Sequence, residues 1–384
     1  MTATNPADLR RLADEVQAIA HVYADSNTIE NGQALRTSIR KLRIASAMPT
    51  EILFDFRMQP IENIAISVLL QSGVLDAIMA SKGEVVEAQE IASATGYDEH
   101  FIIRFMRVAT ALLFCEEVDE AAYRPNQFTE LLVQPGWKSG LRFAEITYLI
   151  GSNIRCLLRE TSYGTLNGIN APKAFDFAYG MPFFKHLEAD PELRSDFNLW
   201  MQERRRNQET LWHLRYPPGA NGSQLIAFHQ QFPNLPGRCI LQDISMPESN
   251  RIAAEVEGLE AMQYDMFTPQ PIKGARYYYF RNVFHNWDDE NMKKALANLV
   301  PAMEPDYSRL LIDDYVLPRR NVQGSGAVED ILMMVYLGAL ERTTSQYEKL
   351  LHGAGLDIVS IVKVGINEEA FIEARVAPQG STTK

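Results

Sequence analysis

Three residues in the last third of the sequence have the types and spacing that acid–base chemistry requires: His285, Asp314 and Glu341. His285 lies within Tyr277-Tyr-Tyr-Phe-Arg-Asn-Val-Phe-His-Asn-Trp-Asp-Asp-Glu290. The first half, an aromatic and β-branched run, predicts a strand over 277–284, and the acids of the second half predict a helix from 288. The histidine therefore falls where a strand gives way to a helix. In an open parallel sheet that carboxyl end faces the ligand crevice. Asp314 sits near the end of the next predicted strand, 310–316, and Glu341 stands in Leu-Glu-Arg-Thr at the start of the last helical region. An imidazole flanked by two carboxylates takes a proton from a hydroxyl, because the acids orient it and stabilise its charged form. Each residue also has a plain structural reading: a helix-capping histidine, a solvated strand end, and an acid favoured by a helix dipole.

The elements that must position these groups follow from periodicity. Apolar residues recur at helical spacing over 8–23 and 34–47, and Pro60 is expected to start a helix over 61–78. Segments 85–94 and 101–113 with a turn at Gly96, followed by short strands at 115–118 and 123–125, predict a winged helix. Its second helix carries Arg104 and Arg107, but Asp98, Glu99, Glu116, Glu117, Asp119 and Glu120 surround them. That acidity argues against entry into a DNA groove and favours a dimerisation module. Helices follow at 139–152, 172–184 and 191–208, the middle one rich in rings, Phe175, Phe177, Phe183 and Phe184 among them. These rings suit a pocket wall and plain core packing equally. Beyond Pro217-Pro218, strands (238–243, 277–284, 310–316, 358–364) alternate with helices (225–232, 288–303, 345–354), the pattern of a parallel α/β sheet. The expected division is 1–130 for the winged-helix domain, 131–210 for connecting helices lining a substrate pocket, and 211–384 for a Rossmann-like domain.

Composition narrows the partners. A chain of 384 residues suggests two domains, and 46% hydrophobic with 22% charged residues is ordinary for a soluble globular protein. A net charge of -12 disfavours nucleic acid and anionic membranes. No signal segment or membrane span is expected. Cys115, Cys156 and Cys239 are far apart, form no metal spacing, and suggest free thiols in a reducing, cytoplasmic setting.

From about Pro49 to Val376 the sequence resembles the cation-independent, S-adenosylmethionine-dependent O-methyltransferases of plant and fungal secondary metabolism. The motifs that carry the resemblance are Phe-Arg-Asn-Val-Phe-His-Asn-Trp-Asp-Asp-Glu, Leu-Leu-Ile-Asp-Asp-Tyr-Val-Leu-Pro, Leu-Glu-Arg-Thr-Thr-Ser-Gln-Tyr and Phe-Pro-Asn-Leu-Pro-Gly-Arg-Cys-Ile-Leu-Gln-Asp. The resemblance implies a homodimer formed through the winged-helix half and a site for a phenolic or polyketide hydroxyl between the domains. It implies His285 as general base flanked by Asp314 and Glu341, the family more often having Glu where Asp314 stands. It further implies Asp243 on the cofactor ribose, Asp265 and Met266 at the adenine, Arg281 as a further cofactor contact, and Gly219 and Gly222 in the turn beside the methionine end.

The sequence departs from the family at that turn. Where the family has Val-Asp-Val-Gly-Gly-Gly-X-Gly, this chain has Arg215-Tyr-Pro-Pro-Gly-Ala-Asn-Gly222, so Tyr216 replaces the acid and Pro218 the first glycine. A central parallel strand should read as continuous apolar residues, and two prolines remove two backbone donors. The stretch Glu209-Thr-Leu-Trp-His-Leu-Arg-Tyr contains no such apolar run and leads into both prolines, so the central strand is expected to be altered or missing. Three functions follow: an O-methyltransferase with an unusual turn, a pericyclase or isomerase of the same fold that transfers no methyl, and a non-catalytic paralogue.

Overall fold

The computed structural model describes residues 5–162, 171–206, 236–244, 256–322, 324–363 and 369–378, with positions 229, 231, 232 and 234. It divides into two compact units, Met1–Ile146 with Pro191–Asn207, and Thr147–Asp190 with Gln208–Lys384. Among the described residues no helix is long and apolar enough to cross a membrane.

The first unit is helical. α1 (Pro6–Asp25) and α2 (Ile29–Ser46) pack together, and α3 (Pro49–Gln71) leads through the short α4 (Val74–Met79) into the winged helix. There β1 (Val86–Glu87), α5 (Ala88–Thr95), α6 (Glu99–Ala111), β2 (Glu116–Asp119) and β3 (Ala122–Arg124) follow in turn, the strands forming an antiparallel sheet in the order β1-β3-β2. Leu69, Leu70, Leu75, Ile91, Ile102, Met106 and Tyr123 fill its core. Pro60 does not open a helix as the sequence suggested; it lies inside α3. The start is set upstream, where Pro49 takes the first helical position and the Glu51 carboxylate accepts from Met48 N–H at 2.7 Å. Pro60 and Phe56 are both exposed, so the carbonyl that loses its donor can bond water instead.

The helices Pro135–Ala144 and Pro191–Arg206 complete this unit by packing closely on each other. Gly136 and Gly140, one turn apart, make the approach possible, because a Cβ at either would collide with Glu203 or Trp200. Trp137 meets Trp200 edge-on at 5.4 Å, and Arg142 pairs with the buried Asp196.

The second unit is Rossmann-like with a mixed sheet. Parallel strands β6 (Tyr277–Arg281) and β7 (Arg309–Leu317) are extended by an antiparallel hairpin in the order β6-β7-β10-β9, with β9 spanning Leu356–Lys363 and β10 Glu369–Val376. β8 (Arg342–Thr343) runs parallel to the end of β7. β4 (Cys239–Asp243) and β5 (Leu259–Gln263) form a separate parallel pair. The helices Asp289–Leu299 and Thr344–Gly353 bury Met292, Leu296, Leu299, Tyr347 and Leu351 against one face of the main sheet, in a core with Tyr278, Leu310, Ile312 and Ile372. Among the described residues no strand joins β4 to β6. The segment on which the expected first strand and the turn with Gly219 and Gly222 fall lies outside the described residues.

Candidate active site

The predicted strand over 277–284 stops at Arg281. Asn282 then adopts a left-handed conformation (φ 49°), which asparagine tolerates better than most residues, and its N–H donates to the carbonyl of Asp313 at 3.0 Å. A single 3₁₀ turn follows over Phe284–Asn286, with Phe284 plugged into the core and His285 buried beside it. Asp288 caps the next helix by accepting from Asn291 N–H at 2.9 Å. His285 therefore sits on a short, tightly tethered turn between strand and helix, and it does not cap that helix.

Glu341 meets this histidine directly: Nδ1 of His285 lies 2.8 Å from Oε1 of Glu341, which is 2% exposed. The sequence placed Glu341 at the start of a helix, but the helix begins only at Thr344, because Thr343 and Gln346 form a capping box. Glu341 instead immediately precedes β8, its N–H donating to Oδ1 of Asp330 at 2.9 Å. Asp314, in β7, is also fully buried, and it turns to another partner: Oδ2 accepts from the Tyr347 hydroxyl at 3.0 Å. Burial pushes its carboxyl up to about 7, opposed by His285 and reinforced by Glu341. The two acids foreseen on either side of the histidine thus differ in role: Glu341 bonds the imidazole, and Asp314 acts on it through space.

The residue that sequence reasoning missed is Arg342. It is completely buried, donating from Nη1 to the carbonyl of Phe284 at 2.9 Å, from Nη2 to that of Trp287 at 2.7 Å, and from Nε to Asp289 at 2.9 Å. Its guanidinium grips the backbone on both sides of His285, while its neighbour Glu341 grips the ring. The signal was in the Leu-Glu-Arg-Thr motif itself: an arginine beside a buried acid needs a cluster of acceptors to be buried with it.

The proposed cofactor residues occupy the carboxyl ends of the other strands. Asp243 ends β4 with its side chain exposed, and its carbonyl accepts from Tyr264 N–H at 2.9 Å. Asp265 follows β5, where its Oδ1 accepts from Phe267 N–H at 2.9 Å. Met266 and Phe267 pack on the core of this unit, and Phe267 stands edge-on to Trp287 at 4.9 Å, linking this turn to the histidine turn. An exposed carboxylate at the end of a parallel strand, beside a half-buried methionine, suits a ribose diol and an adenine. Arg281 is buried against Asp313, Nε to Oδ2 at 3.2 Å, and the Tyr279 hydroxyl donates to the same oxygen at 2.6 Å. Of the rings singled out as a pocket wall, Phe175 and Phe183 are buried in mutual edge contact at 5.3 Å, Phe183 stacking on Tyr336, while Phe177 and Phe184 are exposed.

Residues 218–357 match the O-methyltransferase domain family. The chain is 29% identical over 385 residues to a methyltransferase, cfoC, of Aspergillus candidus, covering 92% of this chain and 94% of that one. It is 27% identical to the demethylsterigmatocystin 6-O-methyltransferase of Aspergillus flavus, covering 92% and 95%. The crystal structure of OxaC in complex with SAH and oxaline superposes with a TM-score of 0.79 at 26% identity, covering 96% of this chain and 99% of that one. A pericyclic reaction enzyme shares the fold, with a TM-score of 0.81 at 23% identity, covering 96% and 100%. Family match, full-length relatives and the arrangement around His285 agree, and together they support an S-adenosylmethionine-dependent small-molecule O-methyltransferase, the family this chain resembles.

Proposed function

We propose that the protein methylates a hydroxyl of a phenolic or polyketide-type secondary metabolite, with His285 as general base. The observation that carries this reading is the buried 2.8 Å contact between Nδ1 of His285 and Glu341. A proton on Nδ1 donates to Glu341, which orients the ring and fixes the tautomer in which Nε2 is the basic nitrogen for the acceptor hydroxyl. Glu341 then stabilises the imidazolium that forms, and Arg342 keeps the turn from rotating away. S-adenosylmethionine, when bound, supplies an electrophilic sulfonium methyl. Asp243 would hold the ribose hydroxyls and Asp265 with Met266 the adenine, and the protein's remaining task is to align the oxyanion.

The partner in solution is a second copy of the chain. Helix α3 exposes Leu53, Phe54, Phe56, Ile61 and Ile64, a run of large apolar side chains that an isolated protomer would leave in water. The acceptor class is supported by the full-length fungal relatives, one of which acts on demethylsterigmatocystin by name. A second reading, a pericyclase or isomerase, draws on Tyr216 and Pro218 in place of the family's acid and glycine. Methyl-labelled S-adenosylmethionine with a panel of phenolic acceptors separates the two. Label in the product supports the methyltransferase; turnover with the cofactor omitted supports the other.

A further inference from the structure

The base cluster holds two oxygen atoms that the reaction does not use. Oδ1 of Asp314 and Oε2 of Glu341 are both buried without a hydrogen-bond partner among the described residues. Each belongs to a carboxyl whose other oxygen is engaged, by Tyr347 in one case and His285 in the other. The two carboxyls interact electrostatically with each other. Two buried carboxylates leave two like charges in a low-dielectric site, an arrangement that retains a proton. The pairing of β8 on β7 sets Arg342 beside Val316, which brings Glu341 to the stretch of β7 that carries Asp314, and one hydrogen shared between the two bare acceptors would satisfy both.

We propose that Asp314 holds a proton and donates it from Oδ1 to Oε2 of Glu341, so that one negative charge, carried by Glu341, stands behind His285. The result is a continuous chain: Tyr347 hydroxyl to Oδ2 of Asp314, Oδ1 of Asp314 to Oε2 of Glu341, and Nδ1 of His285 to Oε1 of Glu341. Asp314 is then a positioning residue, neutral in its working form, and the two acids cannot substitute for each other. The charged groups around it agree with that assignment. Asp313 on its own strand is neutralised by Arg281 from β6, Arg342 is committed to Phe284, Trp287 and Asp289, and Tyr347 is protonated, its hydroxyl held well above the usual range by burial and by Asp314. The raised carboxyl of Asp314 is what this geometry requires.

This inference rests on the role proposed for His285, so its primary test does not depend on turnover. Infrared difference spectra of the intact protein between about pH 6 and about pH 9 should show the carbonyl band of a protonated carboxylic acid disappearing as Asp314 ionises. The band should be absent in Asp314→Asn. Tyr347→Phe, which removes one hydrogen bond from the same carboxyl, should keep the band and move it to higher frequency, so the test survives a misfolded Asp314 variant. No titrating band in the native protein, or a band unaffected by either substitution, overturns the proposal. In methyl transfer, Asp314→Asn replaces a neutral donor by a neutral donor and should cost about tenfold or less, whereas Glu341→Gln removes the anion and should cost about a hundredfold or more. Equal losses overturn the asymmetry. A chain that transfers no methyl at all would still show the band, which separates the failure of this inference from that of the methyltransferase reading.

Discussion

The histidine turn and the strand end at Asp243 are built on opposite principles. Around His285 every group is held from inside the protein: Glu341 on the ring, Arg342 on the backbone at both sides, Tyr347 on Asp314, and hardly any of it reaches water. At Asp243 the carboxylate stands exposed at the end of a two-stranded ribbon that no described strand joins to the main sheet. The first region carries its geometry with it, the preorganisation that the proposed base would need. The second presents its carboxylate at the surface, at the carboxyl end of a parallel strand. Substitutions in the first should therefore disturb rate and stability together, and substitutions in the second should disturb affinity alone.

The largest effect expected from breaking this contrast is on rate. Glu341→Gln should lower methyl transfer by about a hundredfold or more, the scale of a general base deprived of its ionic partner, with the cofactor dissociation constant nearly unchanged. Next comes Arg342→Met, which strands the carbonyl of Trp287 and leaves that of Phe284 only the Trp287 N–H at 3.2 Å. Each buried acceptor left unsatisfied costs about 1–3 kcal/mol, so denaturant unfolding should show a loss on that scale or above together with a lower kcat. Arg342→Lys should recover only part of both, because an ammonium cannot span the two carbonyls.

The pH dependence of stability sharpens the same contrast. Because the carboxyl of Asp314 is raised in the folded state to about 7, the fold binds its proton more tightly than the unfolded chain does. Its contribution is fully present below the ordinary aspartate range and is lost as pH rises through about 7. Asp314→Asn should flatten that slope, so thermal unfolding of the variant relative to the native protein should improve from about pH 5 to about pH 8, by on the order of a few kcal/mol. The smallest effect belongs to the open region. Asp243→Ala should weaken S-adenosylmethionine binding in calorimetry by about tenfold, the loss of a charge-assisted contact, and leave the unfolding temperature where it was.

The sequence revealed the chemistry better than the connections. His285 and Asp314 drew notice because each falls near the end of a strongly patterned strand and Glu341 because it opens the last helical region, and the winged helix was legible because its elements alternate in a distinctive order. β10 went unassigned because Glu369 and Glu373 break its apolar run; Glu373 is tolerated because it pairs with Arg309 at 3.2 Å. β5 was missed for a related reason, since Leu-Glu-Ala-Met-Gln reads as helix and becomes strand through pairing with β4 and the double contact of Glu260 with Arg238. The role of Arg342 lies in three acceptors brought together only by folding. The partner of Asp314 was equally hidden, because Tyr347 lies one helix further along the chain and reaches back to it.

The central claim is that one imidazole, held by Glu341, removes the acceptor proton. The most direct test measures His285→Ala twice, for cofactor affinity by calorimetry and for transfer of labelled methyl to a phenolic acceptor. The account predicts binding close to native with transfer reduced by about a hundredfold or more. Transfer that persists at the native rate in a folded, cofactor-binding variant would contradict it.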